Sequence, residues 1–570
     1  MNYIDNYRKW MDSPIVDEET KAELASLDEA DREYRFFAPL SFGTAGLRGK
    51  MGAGLNAMNV YTVAWATQGV ADYIVKSGMA DRGFVIGRDS RNNSDLFERI
   101  SARVLAANGV KVYCFDGIRP TPVLSFAIRE LGAIGGINIT ASHNPKEYNG
   151  YKVYWEDGAQ IGPEQAKAIS EGIASTDIFD GVKTCDYDEA VRDGRIITLD
   201  GSVDEAFLTK IRGEQVYPDA VQKAAEDLAI VYTPLHGTGY KMVPEILSRI
   251  GIKHIYPVEE QMIPNGDFPT APFPNPELPQ VFELGLKLAE EKGSDLIIAT
   301  DPDADRMGVM ARGKNGFQGL TGNQMGVLLL DYIITALKEQ DIMPELPYAV
   351  KTIVTSEMTT AVCEASGVTL HNVLTGFKFI GGVIADYEKA GKGAYLFGFE
   401  ESYGYLKGGH ARDKDAVVAS MLCAEMAAYY HNKGMTLIDA MDALYEKYGV
   451  YREKTVDVYM EGLDGLARMK ALMDGLRAAA PVDIAGEKVV EVRDYKSAVI
   501  TDLISGQTRD TGLPVSDVLY YRTEKDNVVV IRPSGTEPKV KMYLLLHAPT
   551  VAEADALLAA FHETVSDWTK

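Results

Sequence analysis

The chain has 570 residues, with 82 Asp and Glu against 58 Lys and Arg, and so carries a formal net charge of −24. Hydrophobic residues make up 46% and charged residues 25%, a composition that is typical of folded proteins and excludes a disordered chain. The length predicts about three to five domains, and the negative charge argues against nucleic acid and anionic membranes as partners.

The first residues, MNYIDNYRKWMDSP, have no apolar run behind a basic start, so no secretory signal is expected. Every apolar stretch is interrupted by charge before it reaches the ~18 residues of a membrane helix. The four cysteines lie far apart and form no CxxC pair, which argues against disulfides and a zinc cluster. Together these features predict a cytoplasmic protein.

Residues 1–39 are polar, and we predict that they form an N-terminal helical extension. From about residue 58, short β-rich runs alternate with amphipathic ones. RGFVIGRDS and KVYCFDG are predicted strands, and the helix between them is expected to begin at Ser94 as N-cap and to close at Gly109. A helix at about 121–132 then leads to the strand AIGGINIT. This alternation implies right-handed crossovers and a mostly parallel sheet.

The same alternation recurs twice along the chain. LAIVYTPLHG, KHIYPVEE and SDLIIATD are the predicted strands of a second α/β unit, and YAVKTIVTS, TLHNVLTG and AYLFGFEES are those of a third. In each unit a strand runs into a Gly-, Ser- or Asp-rich loop. Ligands bind at the carboxyl ends of strands in open α/β sheets, so functional residues are expected in these loops.

The last part of the chain has the alternation of antiparallel strands, with a hairpin turn at Lys525-Asp526-Asn527 and helices at about 463–479 and 550–568. We therefore predict an α/β protein: three similar α/β domains with mixed, mostly parallel sheets, and a C-terminal α+β domain, arranged around a central cleft. The predicted domains after the extension are 40–205, 206–320, 321–452 and 453–570.

The first candidate loop is Thr140-Ala141-Ser142-His143-Asn144-Pro145, at the end of a strand. Ser142 is expected to expose its hydroxyl on a turn fixed by proline, next to His143, which could move a proton. The alternative is a plain polar turn. Acyl transfer is not favoured, because no G-x-S-x-G elbow surrounds Ser142.

The second loop is Asp301-Pro302-Asp303-Ala304-Asp305-Arg306. Three carboxylates at alternate positions after an apolar strand suit a hard cation such as Mg²⁺. A calcium EF-hand would need Gly at its sixth position and Glu at its twelfth, where Arg306 and Arg312 stand. A solvated acidic turn is the remaining alternative, although three close acids repel one another without a cation.

Two further loops carry weaker signals. GFEESYG, at the end of a strand, offers carboxylates and a hydroxyl that suit sugar hydroxyls, and a polar turn is its alternative. RPSGTEP combines an arginine, two hydroxyls and a glycine that lets backbone N–H groups surround an anion, and a hairpin-end turn is its alternative.

A possible nucleotide loop at Gly308, Gly313 and Lys314 fails, because Asn315 stands where Ser or Thr is required and a turn follows. A candidate nucleophilic serine, a metal loop, a sugar loop and a phosphate loop fall one in each predicted unit. This combination predicts phosphoryl transfer to a sugar phosphate without ATP.

In this order and spacing, the four motifs resemble the α-D-phosphohexomutase superfamily over nearly the whole chain, from GTAGLRG at 43–49 to RPSGTEP. TASHNPKEYNGYKVYW, DPDADR and GFEESYGY are most similar to the bacterial phosphoglucomutase and phosphopentomutase branch. One departure is that Pro302 and Ala304 replace the glycines of the common Asp-Gly-Asp-Gly-Asp-Arg loop. The spacing of the ligands is retained.

The resemblance implies that Ser142 carries a phosphoryl group and donates it to a sugar monophosphate. The bound 1,6-bisphosphate would then return its other phosphate to the serine. One Mg²⁺ per chain would be held by Asp301, Asp303, Asp305 and an oxygen of the phosphorylated Ser142.

The remaining catalytic roles also come from the resemblance. Lys152 would be the general acid and base, Arg306 would neutralise the phosphoserine, and Arg48 and His143 would support proton transfer and charge. Phosphoryl transfer depends mainly on positioning and charge neutralisation, which these residue types can supply.

The resemblance further implies three groups of binding residues. The turn Thr375-Gly376-Phe377-Lys378 would help to distinguish sugars, with Thr375, Gly376 and Lys378 as binding residues. The pair for the sugar hydroxyls would be Glu400 and Ser402. The distal phosphate clamp would be Arg532, Ser534, Gly535 and Thr536.

The implied activity is the Mg²⁺-dependent interconversion of glucose 1-phosphate and glucose 6-phosphate, with glucose 1,6-bisphosphate as intermediate and activator. A phosphopentomutase acting on ribose or deoxyribose 1-phosphate is the nearest alternative. A phosphomannomutase is disfavoured because the sugar loop reads Glu-Glu-Ser, not Glu-Met-Ser-Gly-His, and a glucose 1,6-bisphosphate synthase is a third alternative. An inactive sugar-phosphate-binding protein is disfavoured because Ser142, Lys152 and all three aspartates are present. A metal-dependent phosphatase with an aspartate nucleophile fits the Asp loop alone, but it would not need Ser142 or the C-terminal clamp.

The negative charge is compatible with a sugar-phosphate substrate if the site itself is positive. The cationic residues assigned to the site are Arg48, Lys152, Arg306, Lys378 and Arg532. His143 is beside them, and Lys414 and Lys539 lie close by in sequence. We therefore expect a positive cleft in an acidic surface, in a protein that is a monomer or a homodimer.

Overall fold

A computed structural model of the protein describes residues 2–43, 45–460, 464–534 and 539–569. The chain divides into two compact units. Unit 1 comprises the described residues of Met1–Leu320, Gly381–Tyr395 and Tyr403–Thr436, and unit 2 those of Thr321–Ile380, Leu396–Ser402 and Leu437–Lys570. Among the described residues, no helix has both the length and the apolar character that a membrane span requires.

The first half of the chain begins with helices and continues as an alternation of strands and helices. Its elements are α1 (Tyr3–Asp12), α2 (Glu18–Ser26), α3 (Glu29–Phe36), β1 (Gly46–Lys50), α4 (Val60–Lys76), β2 (Phe84–Arg88), α5 (Ser94–Ala107), β3 (Val112–Phe115), α6 (Thr121–Glu130), β4 (Gly135–Ile139), β5 (Tyr148–Trp155), α7 (Pro163–Ser175), α8 (Tyr187–Arg192), β6 (Ile196–Leu199) and α9 (Ser202–Arg212). They continue with α10 (Pro218–Ala224), β7 (Ala229–Thr233), α11 (Gly239–Ile250), β8 (His254–Pro257), α12 (Glu259–Met262), α13 (Glu283–Lys292), β9 (Leu296–Thr300), β10 (Met307–Gly313) and β11 (Gly316–Leu320).

The second half continues the numbering. Its elements are α14 (Gly322–Glu339), β12 (Pro347–Thr352), α15 (Met358–Ser366), β13 (Thr369–Val373), α16 (Phe377–Ala390), β14 (Ala394–Glu400), β15 (Gly404–Leu406), α17 (Ala416–His431), α18 (Leu437–Tyr448), β16 (Val450–Tyr459), α19 (Gly465–Ala478), β17 (Asp483–Ile484), β18 (Glu487–Asp494), β19 (Val499–Asp502), β20 (Thr508–Asp510), β21 (Leu519–Thr523), β22 (Val528–Pro533), β23 (Lys539–Ala548) and α20 (Val551–Asp567).

The N-terminal segment is helical, as its sequence predicts. Helices α1, α2 and α3 each begin after a residue whose side chain accepts a backbone N–H, namely Asn2, Asp17 and Asp28. Such caps satisfy N–H groups that have no partner within the helix. The helices bury Trp10 and Phe36 in an apolar cluster with Leu55 and Ile178. These contacts anchor the N-terminal helices in unit 1.

The first sheet of unit 1 has the strand order β1-β5-β4-β2-β3-β6. Strand β2 is parallel to β3 and β4, and β3 is parallel to β6, whereas β5 runs antiparallel to β4 and β1. The sheet is therefore mixed, with its parallel part formed by the predicted βαβ crossovers. The parallel strands β2 and β4 place the loops after Arg88 and Ile139 at one edge of the sheet.

The predicted N-cap of α5 is wrong. Asn93 precedes the helix with a left-handed backbone, and Ser94 is the first helical residue. The Ser94 hydroxyl donates instead to the buried Asp89 carboxylate, 3.0 Å away, so it does not cap its own helix. The predicted end is correct, because Gly109 follows the helix with φ 79°, a conformation that glycine adopts at low cost.

The second sheet of unit 1 has the order β11-β10-β9-β7-β8. Strand β7 is parallel to β8 and β9, and β10 is antiparallel to β9 and β11. The rejected nucleotide loop lies at the hairpin between β10 and β11, where Gly313 pairs with Gly316. The turn predicted there is confirmed.

Unit 2 contains strands of the third α/β region and the C-terminal sheet. Strand β12 lies between β13 and β14 and is parallel to β13. The C-terminal sheet has the order β16-β23-β22-β21-β18-β19-β20, with antiparallel neighbours throughout. Helix α20 packs Phe561 and Val565 into the core of this sheet. The hairpin turn predicted at 525–527 joins β21 to β22, with Asp526 at φ 62°.

Candidate active site

Ser142 lies in the turn after β4, and its backbone is left-handed, with φ 55°. Its N–H donates to Thr140 Oγ1 (2.8 Å), and its hydroxyl donates to Asp301 Oδ2 (2.8 Å) and lies 3.2 Å from His143 Nδ1. The side chain is buried, so the prediction of an exposed hydroxyl is wrong. The reason is tertiary: the loop after β9 covers the turn and brings the carboxylate of Asp301 to it.

The three predicted metal carboxylates come together. One oxygen from each of Asp301, Asp303 and Asp305 lies within 4.8 Å of the others, and all three residues are buried. Asp301 Oδ1 accepts the N–H groups of Asp305 and Arg306, each at 3.0 Å, which shapes the loop. A solvated acidic turn is therefore excluded.

Among the described residues, no hydrogen-bond donor reaches one buried oxygen of each of the two further aspartates, Asp303 Oδ1 and Asp305 Oδ1. Asp303 Oδ2, by contrast, accepts from both Thr121 Oγ1 and Lys152 Nζ, each at 2.8 Å. Buried carboxylate oxygens without donors are costly unless a cation neutralises them. This donor set therefore fits a divalent cation with oxygen ligands.

Burial and the charges of the cluster shift the pKa values of Asp301 and Asp303 in opposite directions. Burial, followed by repulsion from Asp303 and Asp305, raises the pKa of Asp301 well above its usual range. Burial also acts to raise the pKa of Asp303, but the Lys152 ammonium outweighs it and holds that pKa below its usual range. A bound cation would favour the ionised form of all three carboxyl groups.

Lys152 lies on β5 beside β1 and β4, where it pairs with Gly46 and Asn138. Its ammonium is 2.8 Å from Asp303 Oδ2 and 3.6 Å from Asp305 Oδ2. Attraction by these two carboxylates outweighs burial and raises the pKa of Lys152. The predicted acid-base group thus contacts the metal loop directly.

A second lysine reaches the same loop. Lys414 Nζ is 3.2 Å from Asp305 Oδ2 and 2.9 Å from Asp413 Oδ1. The other oxygen of Asp413 accepts from the Tyr154 hydroxyl at 2.8 Å. From the sequence Lys414 was expected only as a cation near the site, and Asp413 was given no role, since both follow a short strand without a clear apolar run.

The other predicted catalytic residues lie around Ser142. Arg48 Nη1 is 3.4 Å from Asn144 Oδ1 in the serine loop, and Arg306 Nη1 is 2.8 Å from Glu277 Oε1. Burial, and then the charges of Arg306 and Arg48, lower the pKa of His143 well below its usual value. His143 is therefore neutral at physiological pH.

In unit 2, two predicted sugar-binding loops are joined by a hydrogen bond from the Gly376 N–H to Glu400 Oε1 (2.8 Å). Gly376 has φ 121°, which only glycine adopts readily. Thr375 precedes it, and Ser402 is half-buried after β14. Lys378 does not lie in a turn as predicted, because helix α16 begins at Phe377. Burial of its side chain lowers the pKa of Lys378.

The predicted phosphate clamp is described in part. Arg532 lies on β22 opposite Lys541 of β23, and the Ser534 N–H donates to Lys539 O at 2.7 Å. Gly535 and Thr536 lie outside the described residues. Burial raises the pKa of the neighbouring Tyr543, Glu401 adds to this effect, and Arg532 opposes it.

Sequence reasoning missed a group of residues that support the serine and aspartate loops. Thr121 accepts from Asn138 Nδ2 (2.6 Å) and donates to Asp303, and Arg91 donates to backbone carbonyls of the serine loop. Arg91 and its partner Asp89 could have been found, because the polar segment Asp89-Ser90-Arg91 follows the largely apolar strand β2 as the other site loops follow theirs. Thr121 and Asn138 carried no such signal.

Most of the chain is similar to proteins of one known family. Models of the phosphoglucomutase/phosphomannomutase family, α/β/α domains I, II and III, match residues 39–178, 205–315 and 321–448. A phosphoglucomutase of Staphylococcus saprophyticus is 36% identical over 526 residues, which are 92% of this chain and 94% of that protein.

Solved structures show the same fold. A phosphoglucomutase/phosphomannomutase family protein of Burkholderia thailandensis aligns with a TM-score of 0.65 at 18% identity, over 92% of this chain and 97% of that one. The phosphoglucomutase parafusin of Paramecium aligns with a TM-score of 0.68 at 18% identity, over 93% and 95% of the two chains. The predicted fold class is confirmed, and the chain belongs to the phosphoglucomutase/phosphomannomutase family of the α-D-phosphohexomutase superfamily.

Proposed function

We propose that this protein is an Mg²⁺-dependent phosphoglucomutase that interconverts glucose 1-phosphate and glucose 6-phosphate. The observation that carries the proposal is the position of Ser142, whose hydroxyl lies 2.8 Å from Asp301 within a buried triad of carboxylates. The length of the match to a protein named phosphoglucomutase supports this choice among sugar phosphate mutases.

In this proposal Ser142 carries the phosphoryl group. Asp301, Asp303, Asp305 and an oxygen of the phosphorylated Ser142 would hold Mg²⁺, which when bound supplies positive charge that stabilises the transferring phosphoryl group. Each aspartate contributes one oxygen to the cluster, and among the described residues Asp303 and Asp305 each have a buried oxygen that receives no hydrogen bond.

The protein's own residues supply the remaining chemistry. Lys152 is the proposed acid and base: as the neutral amine it would take the proton that the sugar hydroxyl loses on attack, and as the ammonium it would return that proton in the reverse step. A cation held by Asp303 and Asp305 would weaken their attraction for the ammonium and so favour the neutral amine. Arg306 and Arg48 place guanidinium charge beside the serine loop. The neutral His143 has its Nδ1 3.2 Å from the Ser142 oxygen and can donate a hydrogen bond to it, because the single hydroxyl proton is donated to Asp301. Positioned charge of this kind is the main source of catalysis in phosphoryl transfer.

The binding functions belong to unit 2 in this proposal. Glu400 and Ser402 bind the hydroxyls of the sugar ring, and Thr375, Gly376 and Lys378 help to distinguish sugars. The residues that bind the distal phosphate are Arg532, Ser534, Gly535 and Thr536. The hydrogen bond between Gly376 and Glu400 supports a common role for the two sugar loops.

The proposal extends to the wider setting of the reaction. Glucose 1,6-bisphosphate is the intermediate and activator, and the enzyme acts in the cytoplasm. The proposed domains are 40–205, 206–320, 321–452 and 453–570, after an N-terminal extension at 1–39.

The substrate assignment is tested by comparing kcat/KM for glucose 1-phosphate, mannose 1-phosphate and ribose 1-phosphate, each with its catalytic bisphosphate present. We expect glucose 1-phosphate to give the highest value. A higher value for ribose 1-phosphate would replace the assignment with a phosphopentomutase, and turnover of none of the three would contradict a mutase.

A further inference from the structure

The guanidinium of Arg91 is surrounded by backbone carbonyls of the serine loop. Arg91 lies between β2 and α5 and is only 3% exposed. Its Nη2 donates to Ser142 O (2.6 Å) and to Asn144 O, and its Nη1 donates to Pro145 O (2.9 Å) and Tyr148 O (3.0 Å). One side chain thus satisfies four carbonyl groups from the segment that contains Ser142.

Only an arginine can make this set of contacts. Its planar guanidinium presents several N–H donors in a fixed arrangement, whereas a lysine offers one compact ammonium group. The contact matters for Ser142, because its left-handed backbone is unfavourable for a residue with a Cβ and must be held by its surroundings.

Arg91 is itself held on two sides. Asp89 Oδ2 is 3.2 Å from Arg91 Nε, and Asp89 Oδ1 accepts the Arg91 N–H at 2.9 Å. Asp89 is in turn tied to β4, since its N–H donates to Ile139 O at 3.1 Å. The guanidinium lies over the Phe268 ring, 5.1 Å from its centroid. The guanidinium therefore has a defined position relative to the strand that leads to Ser142.

From these contacts we propose that Arg91 is a positioning residue, which sets the backbone of the Ser142 loop for phosphoryl transfer. Its side chain contacts carbonyl groups of the Ser142 loop, Asp89 and Phe268. Arg91 therefore affects the reaction through the position of Ser142. This inference rests on the proposed function, in which Ser142 carries the phosphoryl group. A shift of about 1 Å at a reacting group costs on the order of 100-fold in rate.

The test is the conservative variant Arg91→Lys, which keeps the charge but loses the geometry of the donors. We expect kcat and the single-turnover rate of Ser142 phosphorylation by glucose 1,6-bisphosphate to fall about 100-fold, with KM for glucose 1-phosphate nearly unchanged. Hydrogen exchange of a peptide covering 140–149 should become faster.

Arg82→Lys is the matched control. Arg82 precedes the opposite end of β2 and likewise donates to backbone carbonyls, those of Gly132 and Ala133. The control should keep the wild-type phosphorylation rate per folded molecule and the wild-type exchange of 140–149. Equal losses in the Arg82 and Arg91 variants would show a general effect on folding and would overturn the inference.

The outcomes separate this inference from the proposed function. A wild-type protein that is not phosphorylated at Ser142 would overturn the proposed function and the inference with it. A phosphorylated wild type with an equally fast Arg91→Lys variant would overturn the inference alone.

If Arg91→Lys does not fold, Asp89→Asn takes its place, because it keeps an oxygen for the Arg91 N–H but removes the charge beside Nε. We expect a smaller loss of the same kind, in kcat but not in KM. A folded Asp89→Asn variant with wild-type kcat would contradict the proposal.

Discussion

Each oxygen of the Asp303 carboxylate has a different environment, and this difference explains the chemistry of the metal loop. Oδ2 receives two donors, Thr121 and Lys152, while Oδ1 receives none from the part of the chain that the structure describes. The Thr121 hydroxyl accepts from Asn138, so its proton is available for Asp303. The carboxylate is therefore held in one orientation, with one oxygen free for a cation. Thr121 and Lys152, which lie outside the aspartate loop, thus determine which oxygen of Asp303 can bind a cation.

We predict that Thr121→Val weakens divalent cation binding by about 10- to 100-fold, because Asp303 then loses one of the two donors that orient it. The measurement is calorimetric titration with Mg²⁺, or Mn²⁺ binding followed by electron paramagnetic resonance. Thr121→Ser keeps the hydroxyl and is the control, with affinity close to that of the wild type. Equal affinities for Thr121→Val and the wild type would contradict this role of Thr121.

We predict that Ser142→Ala abolishes mutase turnover but leaves sugar-phosphate binding measurable by calorimetry, because only the phosphoryl carrier is removed. Ser170→Ala is the control, since the Ser170 hydroxyl donates to Ala166 O within helix α7. Substantial turnover by Ser142→Ala would contradict the phosphoserine mechanism.

In unit 1, the loops at the ends of three strands bring the residues of the proposed site together. The loops after β2, β4 and β9 bring Arg91, Ser142 and Asp301 together, although they are far apart in sequence. Apolar runs and turn residues predicted these strands and their order along the chain. They did not predict which side chains would form contacts. The capping role predicted for Ser94 was wrong because its hydroxyl donates to Asp89.

Helix α5 carries a buried carboxyl group against the same sheet. Burial raises the pKa of Glu98 to about 7, although Arg88 lies beside it. The folded state therefore binds a proton more tightly than the unfolded state, and stability should fall as the pH rises from about 4.5 to about 7.

We predict that the wild type loses on the order of 3 kcal/mol relative to Glu98→Gln across that pH range, since one pKa unit is about 1.36 kcal/mol. The measurement is urea unfolding followed by tryptophan fluorescence at several pH values. Glu130→Gln, at the exposed end of α6, should follow the wild type. A stability difference between wild type and Glu98→Gln that does not change with pH would contradict the prediction.

The net charge of the whole molecule does not describe the charge at the site. Among the described residues of unit 1, the cationic groups near the triad are Arg48, Arg91, Lys152, Arg306 and Lys414. They face the carboxylates Asp89, Glu277, Asp301, Asp303, Asp305 and Asp413. The two sets nearly cancel, so a divalent cation is needed to make the local balance positive for a phosphate.

We predict that Mg²⁺ raises the thermal midpoint of unfolding and that a chelator lowers it and stops activity, because the cation binds the folded protein alone. At a concentration 100 times its Kd, such a ligand adds about 2.7 kcal/mol. NaCl at equal ionic strength should have no such effect, and Asp303→Asn should abolish the response to Mg²⁺. Full activity in the chelator would contradict the metal assignment.

The sequence by itself determined the fold class and the family and predicted the loops of the proposed site, because apolar periodicity and short motifs are local properties of a chain. Only the tertiary structure decided that the Ser142 hydroxyl is buried against Asp301, that Asp303 is oriented by Thr121, and that Arg91 holds the serine loop. These contacts join residues distant in sequence through the packing of strand ends, and no local pattern specifies which donor meets which acceptor. The same packing explains why an acidic protein can hold a cluster of cationic groups around its proposed site.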